Sequence, residues 1–198
     1  MAKTVDYYFS PMSPWTYLGH QRFTDLLARA GAQVKVKPVD YGRIFPASGG
    51  VPVKQRAPQR QAYRLIELRR WRDFLGIPLN LEPKHFPYAV DSAALLIVAA
   101  DRQHGVQAAM KLAHGILKAC WAEERNCADA GTLDQIAAAA GMDGYALRSR
   151  ESEAKAAYDA YTQEAIDRQV FGAPSYVLNG EIFWGQDRLD HLQRALAS

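Results

Sequence analysis

The stretch 5–18, VDYYFSPMSPWTYL, constrains this chain more than any other. Its opening residues, VDYYF, are β-branched and aromatic, as a buried strand requires. Pro11 and Pro14 then bracket Ser13, and an apolar pattern at helical spacing runs from Trp15 through Leu18, Phe23, Leu26 and Leu27. Ser13 is therefore expected to cap a helix whose first residue is Pro14, a position where the missing N–H costs nothing. At such a start, unpaired backbone N–H groups and the positive end of the helix dipole converge on any anion beside Ser13.

A second segment far downstream, 170–189 or VFGAPSYVLNGEIFWGQDRL, carries the complementary signals. Ala173-Pro174 precedes a short strand-like run at 175–178. Asn179-Gly180 is a two-residue hairpin signal before a second run at 181–184. Trp184-Gly185-Gln186-Asp187 then ends a strand and starts the last helix, so Asp187 stands in a first helical turn where an acid favours the dipole.

In chain order, the patterns predict a strand at 5–9, a helix at 14–30 stopped by Gly31, and a strand at 33–39 in which Val34 and Val36 alternate with Lys35 and Lys37. That is a βαβ unit. Residues 40–58 are rich in glycine and proline and are expected to form a long loop. A helix is predicted at 59–74, irregular chain at 77–90, and helices at 91–104, 106–124, 132–140, 143–149 and 152–169. Asp91, Thr132 and Asp143 are the expected N-caps, and Gly105, Gly131 and Gly141 the expected stops. Strands thus occupy the ends and helices the middle. The economical division is one domain made of residues 1–44 and 168–198, interrupted by an all-helical insertion at 45–167.

Composition excludes several classes. The 198 residues can bury a sizeable core, and 48% hydrophobic with 23% charged residues is ordinary for a globule. A formal charge of +3 is too small to argue for nucleic acid. No apolar run is long enough for a membrane span, the longest candidate being 93–100. No export signal is legible at the N-terminus, so a cytoplasmic protein with reduced, structural cysteines at Cys120 and Cys127 is expected. The five histidines show no paired metal spacing, and no metal site is expected. The most uneven charge feature is the stretch 54–72, where Lys54, Arg56, Arg60, Arg64, Arg69, Arg70 and Arg72 face one acid, Glu67. It reads either as a solvated basic face or as an anion site.

The combination of YYFSPMSPWTYLG, RRWRDFLGIPL and VFGAPSYVLNGEIFWGQDRL resembles the 2-hydroxychromene-2-carboxylate isomerases and the kappa-class glutathione transferases, relatives of DsbA-type oxidoreductases. The resemblance spans nearly the whole chain. It implies an α/β fold, a thioredoxin-like domain with a large all-helical insertion. Ser13-Pro14-Trp15-Thr16 then stands where thioredoxin-like proteins carry Cys-X-X-Cys, with hydroxyls at both sulfur positions. Such a segment cannot exchange disulfides, yet it retains what stabilises a thiolate. The implied cofactor is glutathione, its sulfur held by Ser13, its backbone by Ala173 and a cis Pro174, and its γ-glutamyl end by Trp184, Gly185, Gln186 and Asp187. Lys54, Gln55, Arg60 and Phe86 are the implied substrate contacts, with Trp15 and Tyr88 as further ring neighbours. The implied chemistry is reversible addition of the glutathione thiolate to a conjugated aromatic carboxylate, rotation about the resulting single bond, and elimination. A kappa-like transferase or peroxidase, or a non-catalytic binding module, would present the same residues. The relatives are usually homodimers acting on small molecules, without nucleic acid or membrane.

Overall fold

A computed structural model describes residues 2–198. Strand β1 (Thr4–Phe9) leads through α1 (Pro14–Ala30) into β2 (Gln33–Pro38), which lies parallel to β1 with Tyr7 opposite Val36. The chain then runs through helices α2 (Tyr41–Ser48), α3 (Pro58–Leu75), α4 (Asp91–His104), α5 (Val106–Trp121), α6 (Ala130–Ala139), α7 (Gly144–Arg148) and α8 (Glu151–Asp167). It returns as the hairpin of β3 (Ser175–Leu178) and β4 (Glu181–Trp184), and α9 (Leu189–Ala197) closes it. The sheet order is β2-β1-β3-β4, with β3 antiparallel to both neighbours. At the hairpin, Asn179 and Gly180 have φ of 53° and 87°, the left-handed pair that a two-residue turn needs.

Period-two alternation along the strands divides the core. Val5, Tyr7, Phe9, Tyr176 and Phe183 enter the main cluster with Leu18 and Phe23 of α1 and Leu192 of α9. Tyr8 and Val177 point to the opposite face, against Ile44 of α2, Ala165 of α8 and Val170. Helices therefore cover both faces. The main cluster also runs on into the inserted helices through Leu96, Ile97, Leu112, Ile116 and Trp121, so the insertion is a feature of chain order, while the hydrophobic core crosses it without a break. Residues 93–100 of α4 are all buried, as expected of a helix that is apolar all round.

Several local expectations are corrected. The predicted loop at 40–58 contains α2, capped by Asp40, whose carboxylate accepts from the Gly42 N–H at 2.7 Å. Burial of Ile44 drives that helix to form despite Pro46 inside it. A 3₁₀ turn, Val53–Gln55, follows. Helix α6 is capped by Asp129 and not by Thr132, whose N–H donates to Asp129 at 2.7 Å, and Gly131 lies inside that helix and does not stop it. Asp91 is the first residue of α4 and gives no side-chain cap. Helix α5 ends at Trp121, three residues early, where the Arg125 N–H turns back to the Ala119 carbonyl at 2.9 Å. Asp143, Gly31 and Gly105 do the work expected of them.

Candidate active site

Ser13 is the N-cap of α1, in extended conformation, with Pro14 at the first helical position. Its Oγ accepts from the Thr16 N–H at 3.2 Å. That interaction uses a lone pair and leaves the hydroxyl proton free to donate. Ser13 is half-buried at the end of a 17-residue helix, so a negatively charged acceptor there meets a hydroxyl, a helix N-terminus and limited solvent together.

The loop carrying Ser13 is fixed from the helical side. The Trp121 indole N–H donates to the Met12 carbonyl at 3.3 Å, and the Tyr88 hydroxyl donates to the Pro11 carbonyl at 3.1 Å. Phe86 lies against Trp121 with ring centroids 4.9 Å apart. The Arg64 guanidinium sits over both rings, 5.4 Å from the Phe86 centroid and 5.8 Å from that of Trp121. Burial, followed by the nearby charge of Arg56, pulls the Arg64 pKa down to about 10.

From the other side, the register that sets Tyr8 opposite Ser175 brings Ala173 and the cis Pro174 alongside the end of β1 from which Ser13 departs. The Gly185 N–H donates to the Pro174 carbonyl at 2.9 Å, which ties the Trp184–Asp187 loop to the same place. Trp184 is half exposed and meets Phe171 edge to face at 4.7 Å, packed so close to Gly172 that a Cβ there would strike the indole. Asp187 is exposed and paired with Arg188 at 2.7 Å. Gln186 is buried, and Arg22 donates to both its side-chain carbonyl at 2.7 Å and its backbone carbonyl at 3.3 Å.

The structure thus gathers Ser13, Phe86 and Tyr88 around one loop and Ala173, Pro174, Trp184, Gly185 and Asp187 around its neighbour. Trp15 is half-buried against the main core. Lys54, Gln55 and Arg60 are exposed, and no hydrogen bond or ion pair links them to the Ser13 loop among the described residues. Trp121 was not legible beforehand: in sequence it ends an apolar helix like any core residue. Arg64 had a signal, since it stands ahead of Leu68, Trp71 and Leu75 on the inward stripe of α3. Cys120 and Cys127 are unpaired and buried, and burial pushes their thiols up to about 12 and about 11, so neither is a nucleophile at neutral pH. Among the described residues no cluster of histidine, cysteine and carboxylate side chains could hold a metal.

Comparison with known proteins places the fold. A family model described as the DSBA-like thioredoxin domain matches residues 4–197. The chain is 31% identical to 2-hydroxychromene-2-carboxylate isomerase of Pseudomonas putida, across 97% of this chain and 93% of that protein. It is 29% identical to the protein of the same name from Sphingobium xenophagum, across 99% of both. A solved structure of 2-hydroxychromene-2-carboxylate isomerase superposes with a TM-score of 0.80 at 30% identity, covering 98% of this chain and 94% of that one.

Proposed function

As the chain belongs to the DSBA-like thioredoxin domain family and aligns over nearly its whole length with isomerases of that family, we propose that it is a glutathione-dependent isomerase of a small aromatic carboxylate. The observation carrying this reading is that a hydroxyl, Ser13, stands at the helix start with its oxygen engaged by Thr16 and its proton free. Such a group donates to a sulfur anion and cannot itself become one. When bound, glutathione supplies the thiolate nucleophile that the chain lacks.

The residues present fit that group. Ser13 would hold the sulfur in its charged form, with the helix dipole adding to the effect, and would so favour the thiolate nearer neutral pH. The backbone of Ala173, fixed beside Pro174, offers a peptide edge for the cysteinyl unit. Asp187, exposed at the mouth, can turn from Arg188 to accept from the γ-glutamyl ammonium, and the backbone of Gly185 and Gln186 and the ring of Trp184 border the same end. Phe86 and Trp121 would wall the substrate ring, while Lys54, Gln55 and Arg60, all exposed, would meet it only from solvent.

The test is isomerisation of 2-hydroxychromene-2-carboxylate with and without glutathione, in the native protein and in Ser13→Ala. Turnover should require glutathione. Ser13→Ala should lose about ten- to a hundredfold in rate at neutral pH, the equivalent of one hydrogen bond to a charge, and move the alkaline rise of the pH–rate profile upward. An unchanged rate and profile would reduce Ser13 to a helix cap.

A further inference from the structure

We infer that Arg64 binds the substrate's carboxylate as a planar two-pronged clamp laid over Phe86 and Trp121; this rests on the function just proposed. The carrying observation is an unmet donor. The Nη2 of Arg64 is buried with no acceptor among the described residues. The two acids of α3 are taken by other arginines, Glu67 by Arg70 at 2.6 Å and Asp73 by Arg72 at 2.8 Å. The charge that bears on Arg64 most is another cation, Arg56.

Enclosing one arm of a half-buried guanidinium without an acceptor is costly, because removing those N–H groups from water sacrifices hydrogen bonds that nothing replaces. The rings of Phe86 and Trp121 offset part of that cost by attracting the cation through their faces. They cannot satisfy its N–H groups, which lie in the guanidinium plane. What completes such a group is a planar acceptor with two oxygens, and a carboxylate fits it bidentately.

Position makes the acceptor a substrate and not a stray ion. Trp121, one wall of this pocket, is bonded to the carbonyl of Met12, the residue before Ser13. An aromatic carboxylate with its anion on Arg64 would therefore lie against Phe86 and Trp121 and extend toward the Ser13 loop. Arg60 and Lys54 are exposed, and water competes there for any anion.

Cinnamate and its methyl ester are suitable probes, titrated calorimetrically and by thermal shift against native protein, Arg64→Met and Arg64→Lys. Native protein should bind cinnamate and discriminate against the ester. Arg64→Met should lose at least about tenfold in cinnamate affinity and bind acid and ester alike, with Arg64→Lys in between. In the absence of any carboxylate, Arg64→Met should melt no lower than native protein, since it keeps the packing and removes an unpaired charge. A lower melting temperature combined with unchanged cinnamate affinity would make Arg64 structural and overturn the inference. Glutathione titrated into the same proteins separates the two claims: its failure to bind native protein would sink the glutathione reading alone, and cinnamate affinity independent of position 64 would sink the carboxylate clamp alone.

Discussion

Two cations in this molecule, Lys37 buried and Arg64 half-buried with its Nη2 enclosed, sit in nearly the same aromatic setting. Lys37 lies over Tyr8 and Tyr161, 5.2 and 5.8 Å from the ring centroids, and Arg64 lies over Phe86 and Trp121 at 5.4 and 5.8 Å. The difference is in the anions. Lys37 has Glu164 at 2.6 Å and Asp6 at 2.9 Å, the latter a contact of charge more than a directed hydrogen bond, and Arg168 joins both acids from the surface. Arg64 has none. One cation is completed by the fold and ties β2 and β1 to α8; the other is left for something outside the fold to complete. The comparison teaches that burial and aromatic contact alone do not mark a binding group. The missing counter-charge does.

The comparison breaks most severely at Lys37. Lys37→Met leaves Asp6 and Glu164 with only the half-exposed Arg168, and should cost about 3 kcal/mol of stability, measured as a fall in the denaturant midpoint at constant slope. A loss under about 1 kcal/mol would mean that the two cations are energetically alike after all.

A third base sharpens the contrast, because it avoids the problem by giving up its charge. His20 is fully buried, with Nε2 donating to the Met110 carbonyl at 3.0 Å and Nδ1 accepting from the Tyr7 hydroxyl at 3.1 Å. Burial, aided by His114, lowers its pKa to about 4, against the Met110 hydrogen bond that opposes the shift. Between pH 6.5 and 4 the unfolded chain binds a proton that the folded chain refuses, so stability falls as the pH drops through that window. The full loss from this group is about 3 kcal/mol, and His20→Gln should flatten the dependence in urea titrations at stepped pH. The smallest effect belongs to Arg60→Ala. Its exposed charge lies one turn from Arg64, yet removing it should shift stability by no more than about 0.5 kcal/mol and cinnamate affinity by less than about fivefold.

These cations also show which parts of the molecule were legible in the sequence. The Ser13-Pro14 start, the Gly31 stop and the Asn179-Gly180 turn were readable because each is decided by the backbone preferences of one or two residues. The same local reasoning misplaced the cap of α6 and missed α2, where an upstream aspartate and the burial of Ile44 outweigh glycine and proline. The basic run was visible, but which of its arginines turns inward depends on the face α3 presents to Trp121, a residue on another helix. Pairing of Lys37 with Glu164 is likewise decided by the packing of α8 on the sheet. Local chemistry wrote the loop that bears the hydroxyl. Packing between distant segments wrote the pocket beside it.

The two hydrogen bonds that tie that loop to Tyr88 and Trp121 end on main-chain carbonyls, those of Pro11 and Met12. Every residue type carries the same carbonyl, so the side chains at positions 11 and 12 are not what the attachment recognises. The identities that matter are those of the donors, Tyr88 and Trp121, one in an irregular segment and the other at the end of α5. The attachment itself therefore does not depend on the side chains of the two residues before Ser13, and the spacing between its hydroxyl and the aromatic wall rests on two aromatic residues that lie more than seventy positions away along the chain.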